Sequence, residues 1–222
     1  PQAWQGKPVS LVFEGVYQTA LVYLNGWLLT RNVNGYAEFT VEAGPYLKYG
    51  ADNLLKVIAD NSLEPNSRWY TGSGIYRPVR LLVGNKVYLP QDTVRITTRE
   101  ADEGFALLDV TAQVQSASTV TERVTLQQTI CREGTAVLTD RQNLLLQPGE
   151  SRTVSFRYCV DSPALWSPEN PNLYTSTMQV LEGEEELDRE ETGFGIRTLS
   201  IDAAHGVRIN GQTVKLRGAC IH

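Results

Sequence analysis

The stretch Ala20-Leu-Val-Tyr-Leu-Asn-Gly26 decides the fold class, because apolar side chains at every second position run directly into an Asn-Gly pair. A hydrophobic period of two is typical of a β-strand with one buried face. Asn-Gly is the pair that best fits the two left-handed positions of a two-residue hairpin turn. The stretch therefore predicts a strand that folds back on itself.

The same combination of short apolar alternation and turn residues extends through the rest of the chain. Asn34-Gly35, Pro148-Gly149 and Glu182-Gly183 supply further turns, and no long helical periodicity is present. Strand candidates after residue 87 begin near Thr93, Phe105, Val120, Thr135, Thr153, Leu173 and Leu187. This spacing is typical of a β-sandwich, so we predict an all-β protein.

The pattern changes in two places, which predicts three parts. Around residue 85 the sequence Gly84-Asn-Lys separates a first β-domain from the later strands. A third element begins near residue 198.

Within the second domain, two prolines near Trp166 exclude a central strand and predict an ordered crossover loop, with the indole capping the sandwich.

Composition excludes some partner classes. The chain has 222 residues and a net charge of -5, which argues against a nucleic acid or an anionic membrane as partner. No apolar run approaches the roughly 18 residues of a membrane helix. Cys131, Cys159 and Cys220 leave at least one thiol unpaired, which favours a reduced setting, with a Cys131–Cys159 bridge as the alternative. The sequence does not define the compartment, and the cytoplasm is favoured over the periplasm or secretion.

The densest cluster of recognition-type residues is Arg68-Trp-Tyr-Thr-Gly-Ser-Gly-Ile-Tyr-Arg-Pro-Val-Arg80. Its aromatic rings offer large amphipathic surfaces, and its guanidinium groups suit hydroxyls or carboxylates. One interpretation is a loop that lines a sugar site or a domain interface. The other, which residue types alone favour, is an aromatic turn buried by packing.

Other motifs indicate no chemistry of their own. Gly72-Ser73-Gly74 lacks the spacing of a nucleophile elbow and the lysine and helix of a phosphate loop. His205 is predicted to be an exposed turn residue, and neither histidine has partners at metal spacing. Glutamates 184–186 and 190–191 are interpreted as a solvated charge run. We therefore predict no catalytic residue and no metal site in this chain.

The last residues, Gly206-Val-Arg-Ile-Asn-Gly-Gln-Thr-Val-Lys-Leu-Arg-Gly-Ala-Cys-Ile-His222, predict another Asn-Gly hairpin. From Val214 onward the sequence is typical of a strand that leads into a new element. We therefore expect the chain to be part of a longer protein.

Three ordered blocks together resemble the family 2 glycoside hydrolases, which include β-galactosidases, β-glucuronidases and β-mannosidases. The blocks cover nearly the whole chain, and their ordered set is more specific than any one of them. They are Leu11-Val-Phe-Glu-Gly-Val16 with Ala20–Gly26, then Arg68–Arg77, and then Leu165-Trp-Ser-Pro-Glu-Asn-Pro-Asn-Leu-Tyr174 through Gly193-Phe-Gly-Ile-Arg197 to Leu216-Arg-Gly218.

The resemblance implies a definite architecture. Residues 1–86 correspond to a galactose-binding-like jelly roll whose opening strands are missing, so it would expose apolar surface or pair with another copy in a homo-oligomer. Residues 87–197 correspond to an immunoglobulin-like β-sandwich. Residues 198–222 correspond to a hairpin and the start of the first strand of a (β/α)₈ barrel. The acid/base and nucleophile glutamates of the family lie on later barrel strands, beyond residue 222.

The resemblance also suggests substrate-binding candidates in the parent protein. His222 matches a histidine that contacts galactose in the β-galactosidases, and Asn66 and Arg68 lie in a segment that reaches toward the barrel site. Cys220 stands where the family often has Asn, a position that varies among galactosidase-like members. The implied parent is a retaining β-galactosidase that takes its carbohydrate substrate through the barrel and uses Mg²⁺ or Na⁺, with no cofactor in this chain. The alternatives are a β-glucuronidase or β-mannosidase parent, or a free-standing carbohydrate-binding or adhesive β-module.

Overall fold

The computed structural model describes residues 1–63 and 72–220, and in these ranges the chain is all-β, as predicted. The chain divides between Asn85 and Lys86 into two compact units. We call them the jelly-roll unit and the sandwich unit and describe each by itself. None of the described helical segments has the length and apolar character needed to cross a membrane.

The jelly-roll unit contains three antiparallel sheets, ordered β5-β1-β8, β4-β3-β6 and β2-β7. Two short 3₁₀ turns, Gln2–Trp4 and Gly44–Tyr46, accompany them. The strands are Val9–Phe13 (β1), Val16–Tyr17 (β2), Thr19–Leu24 (β3), Trp27–Asn32 (β4), Phe39–Glu42 (β5), Leu55–Asp60 (β6), Gly74–Ile75 (β7) and Val79–Val83 (β8).

The core of this unit lies between β1 and β3, the central strands of the two larger sheets. Alternate side chains of both strands point inward, and they are Val9, Leu11, Phe13, Ala20, Val22 and Leu24. Phe13 stacks on Phe39 of β5 with ring centroids 5.0 Å apart. The predicted Asn25-Gly26 turn joins β3 to β4, and both residues have positive φ.

One margin of the jelly-roll unit leaves core-facing side chains half exposed. Leu81 of β8 lies opposite the buried Leu11, yet 44% of its surface is exposed. Leu55 of β6 lies opposite the buried Leu24 and is 38% exposed. Strands β6 and β8 are terminal strands of their sheets, so within the described chain each has a neighbouring strand on one side only.

The sandwich unit contains the sheets β10-β11-β14, with β9 also on β11, and β13-β12-β15-β16, followed by β17-β18-β19. Seven of its strands, β10 to β16, correspond to the seven candidates. The strands are Val87–Tyr88 (β9), Arg95–Ala101 (β10), Phe105–Ser116 (β11), Glu122–Arg132 (β12), Thr135–Leu146 (β13), Ser151–Asp161 (β14), Tyr174–Glu182 (β15), Glu185–Phe194 (β16), Leu199–Asp202 (β17), Gly206–Ile209 (β18) and Gln212–Thr213 (β19).

Strict alternation builds the core of the sandwich unit. Ala106, Leu108, Val110, Ala112 and Val114 of β11 are all fully buried, and each is separated from the next by a residue with some exposure. They pack with apolar residues of the facing sheet in one cluster. Burial of each larger aliphatic side chain contributes about 1.5–3 kcal/mol, so this strand is a main source of stability.

The predictions for the cysteines and for the acidic run have different outcomes. Cys131, Cys159 and Cys220 are all free, so no Cys131–Cys159 bridge forms. The acidic run of β16 is mostly exposed, but Glu190 is not simply solvated. Burial raises the pKa of Glu190, and the neighbouring Asp92 and Asp188 raise it further.

The outward face of β11 carries a carboxylate held between two guanidinium groups. Arg157 of β14 donates from Nε to Asp109 Oδ1 at 2.7 Å, and Arg99 of β10 donates to the other oxygen. These hydrogen bonds, Arg157 first, lower the pKa of Asp109 from 3.8 to about 2. The carboxylate therefore ties the three strands of this sheet together across their exposed face.

We expect Arg157→Gln to raise the pKa of Asp109 toward 3.8, because the hydrogen bond that most favours the charged form is lost. NMR titration of the Asp109 carboxyl carbon measures this change. Since the folded-state pKa lies below the unfolded one, the contribution of the pair to stability is complete above pH 3.8 and is lost as the pH falls through about 2. Arg95→Gln, on the same face of β10, removes the same charge and should leave the Asp109 titration unchanged. An equal shift in both variants would contradict the assignment.

Candidate functional site

The three substrate-binding candidates, Asn66, Arg68 and His222, lie outside the described residues. The described chain on either side of 64–71 forms an aromatic end of the jelly-roll unit. The described chain before residue 221 forms a junction in the sandwich unit. These two places adjoin the candidates in sequence, and each is described from its own contacts.

Tyr76 fixes the aromatic end. Its hydroxyl donates to the carbonyl of Gly35 at 2.8 Å, and its backbone N–H donates to the carbonyl of Gly15 at 3.2 Å. The Arg77 guanidinium lies over the same ring, 5.6 Å from its centroid. One tyrosine therefore joins the β7–β8 segment to two separate loops, although its side chain remains 44% exposed.

Two glycines allow the aromatic rings to approach the backbone closely. A Cβ on Gly35 would lie 2.4 Å from the buried ring of Tyr17, and a Cβ on Gly15 would lie 2.7 Å from the Tyr76 ring. Tyr17 in turn packs against Tyr36, with centroids 5.4 Å apart. The Asn34-Gly35 segment, predicted only as a turn, is therefore also a packing site for tyrosines.

The two sides of segment 64–71 are joined by a hydrogen bond. Asn61 Nδ2 donates to Ser73 Oγ at 2.8 Å. Just before them, the Asp60 carboxylate accepts hydrogen bonds from the hydroxyl and N–H of Ser62, which lower the pKa of Asp60. Asn61 and Ser73, on the two sides of residues 64–71, thus lie together beside the β2–β7 pair.

Within residues 72–80, the described part of the Arg68–Arg80 cluster, Tyr76 keeps 44% of its surface exposed. Both interpretations drawn from residue types stay predictions, because Trp69 and Tyr70 lie outside the described residues. The Tyr76 hydroxyl donates to the Gly35 carbonyl, so this hydrogen bond holds the ring in place. The described residues next to segment 64–71 in sequence are therefore a partly exposed aromatic cluster tied to two loops by Tyr76.

We expect Tyr76→Phe to lower the free energy of unfolding by about 0.5–1.5 kcal/mol, because the Gly35 carbonyl loses its donor. Urea denaturation measures the change. Tyr23→Phe is the matched control, since the Tyr23 hydroxyl forms no hydrogen bond within residues 1–63 and 72–220, and its ring keeps the contact with Lys56. Equal stability of the Tyr76 variant and the wild type would show that the hydroxyl bond contributes nothing.

In the sandwich unit, Trp166 organises the crossover loop. The backbone N–H of Trp166 donates to the Ile196 carbonyl at 2.8 Å. The Arg197 guanidinium lies 4.5 Å from the centroid of the indole ring. The Trp166 carbonyl accepts from Asn210 Nδ2 at 3.0 Å, while Asn210 Oδ1 accepts from the Thr198 N–H at 3.0 Å. We call this group the Trp166 junction. It joins the loop, the end of β16 and the terminal hairpin.

The junction sets where the chain leaves the sandwich. Asn210 and Gly211 both have positive φ and form the predicted turn between β18 and β19. Residues 214–220 form no strand, in contrast to the sequence prediction. The Val214 N–H donates to the Val207 carbonyl of β18 at 2.8 Å, but no strand of the described chain pairs with the residues after it, so they have no ladder to join.

We expect Gly195→Ala to lower the free energy of unfolding by about 1–3 kcal/mol, because the new Cβ would lie 2.7 Å from Trp166 Cβ. Differential scanning calorimetry measures the loss. Gly193→Ala is the matched control, because a Cβ there meets no atom within 4 Å. If both substitutions cost the same, close packing on Trp166 is not the cause.

The described residues offer no metal centre. Within residues 1–63 and 72–220, no group of three or more His, Cys, Asp or Glu side chains is placed to hold a metal ion. His205 lies in an exposed turn, as predicted, with Nδ1 2.9 Å from the Asp202 carboxylate.

Comparison with known proteins identifies the family. A family model described as "Glycosyl hydrolases family 2" matches residues 87–197, half of the chain. The chain belongs to glycosyl hydrolase family 2. The matched residues include the strands of the sandwich and both segments of the Trp166 junction that precede the hairpin, so the order of blocks in the sequence identified the family correctly.

Relatives whose names give different activities match nearly the whole chain. "Beta-galactosidase BoGH2A" of Bacteroides ovatus is 36% identical over 98% of this chain, which covers 26% of that protein. A "Putative beta-glucuronidase" of Formosa agariphila is 34% identical over 97% of this chain, which covers 20% of that protein. The chain thus spans about a quarter or less of the length of these family 2 relatives.

Solved structures show the same likeness. A family 2 member from Bacteroides cellulosilyticus is 32% identical, with a TM-score of 0.92 over all of this chain and 30% of its own. A β-glucuronidase from Bacteroides uniformis is 29% identical, also with a TM-score of 0.92, over all of this chain and 28% of its own.

Proposed function

We propose that this family 2 chain is the non-catalytic N-terminal part of a retaining glycosidase that hydrolyses terminal β-galactosides. The observation that carries the proposal is the 36% identity to a β-galactosidase over 98% of the chain. Retaining glycosidases use one carboxylic acid to protonate the leaving group and one carboxylate as nucleophile, with a covalent glycosyl-enzyme intermediate. In this proposal both carboxylates belong to the barrel, and the present chain supports it.

The described geometry suggests how that support works. The Trp166 junction fixes the hairpin from which the chain continues toward His222. The aromatic end, with Tyr76 bonded to Gly35 and Asn61 bonded to Ser73, adjoins in sequence the segment that carries Asn66 and Arg68. We propose that these three residues contribute to the substrate pocket of the parent. We also propose that any Mg²⁺ or Na⁺ of the parent is bound outside this chain.

A β-glucuronidase parent is the second candidate. It is favoured by the 34% identity to a putative β-glucuronidase and by the likeness to the solved β-glucuronidase of Bacteroides uniformis. The two candidates differ in whether the pocket accepts a neutral sugar or a carboxylate at C6. A cationic side chain in the pocket would favour the uronate.

We expect the full-length gene product to hydrolyse p-nitrophenyl β-galactoside with a kcat/KM at least about tenfold above that for the β-glucuronide and the β-mannoside, a difference of about 1.4 kcal/mol in transition-state binding. The 222-residue chain alone should release no p-nitrophenol, because the proposal assigns both catalytic carboxylates to the barrel.

Preference for the glucuronide would replace the first candidate with the second. Turnover by the isolated 222-residue chain would refute the assignment of a non-catalytic part. Release of the sugar with inverted configuration, followed by NMR of the anomeric proton, would contradict the double-displacement mechanism.

A further inference from the structure

The three Asn-Gly pairs of the chain, Asn25-Gly26, Asn34-Gly35 and Asn210-Gly211, differ in how the structure holds the asparagine side chain. An asparagine that precedes glycine loses its side-chain amide when the glycine nitrogen attacks Cγ and closes a cyclic imide. Glycine hinders this attack least, because it has no side chain beside its nitrogen. The conformation of each pair therefore decides which of them reacts.

Asn25 and Asn210 are held in a conformation that prevents the attack. Both lie in two-residue turns, with φ of 53° and 51°. In this left-handed region, where ψ is about +47°, the Cα–Cβ bond points almost opposite to the C–N bond that leads to the next residue. Cγ therefore does not reach the glycine nitrogen unless the turn opens.

Hydrogen bonds to distant segments keep these two turns closed. Asn25 Nδ2 donates to the Tyr46 carbonyl and to Asn53 Oδ1, both at 2.8 Å. Asn210 Nδ2 donates to the Trp166 carbonyl at 3.0 Å. In both residues, the nitrogen that would leave as ammonia is thus bonded to the protein.

Asn34 has neither of these restraints. Its φ is not positive, the residue is exposed, and its Nδ2 donates to no acceptor within residues 1–63 and 72–220. Its Oδ1 accepts from the backbone N–H groups of Tyr36 at 3.0 Å and Ala37 at 3.2 Å. These two bonds fold the side chain back along the following residues, and so over the Gly35 peptide.

The surroundings of Asn34 also favour the reaction electrostatically. Attack on Cγ moves negative charge onto Oδ1, and two backbone N–H donors to that oxygen stabilise the charge as in an oxyanion hole. The nucleophile, the Gly35 nitrogen, donates no hydrogen bond to any other residue that the structure describes. Gly35 is held in place, because its carbonyl accepts from the Tyr76 hydroxyl at 2.8 Å and the Tyr17 ring lies against its Cα.

We propose that Asn34 is a deamidation site, at which the Gly35 nitrogen displaces the side-chain amide. A hydroxide ion takes the proton from the Gly35 nitrogen, whose electron pair then forms a bond to Asn34 Cγ. The Cγ–Nδ2 bond breaks, and ammonia leaves with a proton from water, which returns the hydroxide. Water then opens the imide at either carbonyl and gives aspartate or isoaspartate, so water is the only reactant consumed.

The two products differ in their effect on the aromatic end. Aspartate keeps an oxygen where Asn34 Oδ1 accepts, and its charge strengthens both hydrogen bonds. Isoaspartate inserts an extra methylene into the backbone before Gly35, which Tyr76 and Tyr17 hold in place. This product therefore loosens the aromatic end. The proposal does not depend on which glycoside the parent hydrolyses, so either can fail without the other.

The test is peptide mass spectrometry of the full-length gene product after incubation in H₂¹⁸O at mildly alkaline pH, with and without urea. Each asparagine that reacts takes up ¹⁸O from the solvent, which separates new products from those already present. In the folded protein we expect Asn34 to react at least about tenfold faster than Asn25 or Asn210. In urea the three pairs should react at similar rates, because the conformations that distinguish them are lost.

Variants separate the imide route from other losses of the amide. In Asn34→Gln the longer side chain closes the corresponding ring poorly, so the product at position 34 should disappear. Val33→Ala is the matched control, since Val33 is the preceding residue, is 58% exposed and leaves the Asn-Gly pair intact. It should react like the wild type. After separation by ion exchange, the isoaspartate form of the wild type should unfold at a lower temperature than the aspartate form.

Three outcomes would overturn the proposal. The first is that Asn34 reacts no faster than Asn25 and Asn210 in the folded protein. The second is uptake of ¹⁸O at position 34 without any isoaspartate, which would indicate direct hydrolysis of the amide by water. The third is that Asn34→Gln forms the acidic product as fast as the wild type.

Discussion

Alternation of side chains along paired strands is the constraint on which this structure depends. In β11 every second residue from Ala106 to Val114 is fully buried, and the residues between them face outward. Because the period is two, a slip of one residue in the pairing of β11 with β14 would carry Asp109 toward the core and expose Leu108. The register that buries the aliphatic side chains is therefore also the register that leaves Asp109 between Arg99 and Arg157. Core packing and surface charge pairing select the same alignment.

In each unit one asparagine both forms a turn and bonds to a distant segment. Asn25 and Asn210 each occupy a left-handed backbone position followed by glycine. Each also uses its side-chain amide to fasten the turn to chain that is distant in sequence, Asn25 to the Tyr46 carbonyl and Asn210 to the Trp166 carbonyl. Aspartate would tolerate the backbone but has no N–H to donate, and glycine would have no side chain at all. The Asn-Gly pairs are therefore tertiary contacts as well as turns.

The sequence was sufficient for the all-β fold, the seven sandwich strands and the family, because these depend on local patterns: alternation, turn pairs and ordered motifs. It was insufficient for contacts between distant segments. Nothing local indicates that Gly35 packs on Tyr17 and accepts from Tyr76, or that the amide of Asn210 reaches Trp166. Local charge patterning also described Glu190 as solvated, because its pKa depends on burial and on Asp92, which lies on another segment. The expected strand after Val214 depends on partner strands, which a local pattern does not contain. The predicted substrate residues Asn66, Arg68 and His222 stay predictions, since they fall outside the described ranges.

The half-exposed margin formed by β6 and β8 makes the two units unequal in cooperativity. Side chains such as Leu55 and Leu81 face the core but meet water on one side, whereas those of β11 are enclosed. Local opening needs less energy where fewer apolar contacts must be broken. The backbone amides of β6 and β8 would therefore exchange with solvent deuterium while those of β11 and β14 remain protected, and a protease would find its first cleavage sites in the jelly-roll unit. The immunoglobulin-like sandwich is therefore the part of the chain that opens last. The stability of the jelly roll against local opening depends on what packs against the margin of β6 and β8.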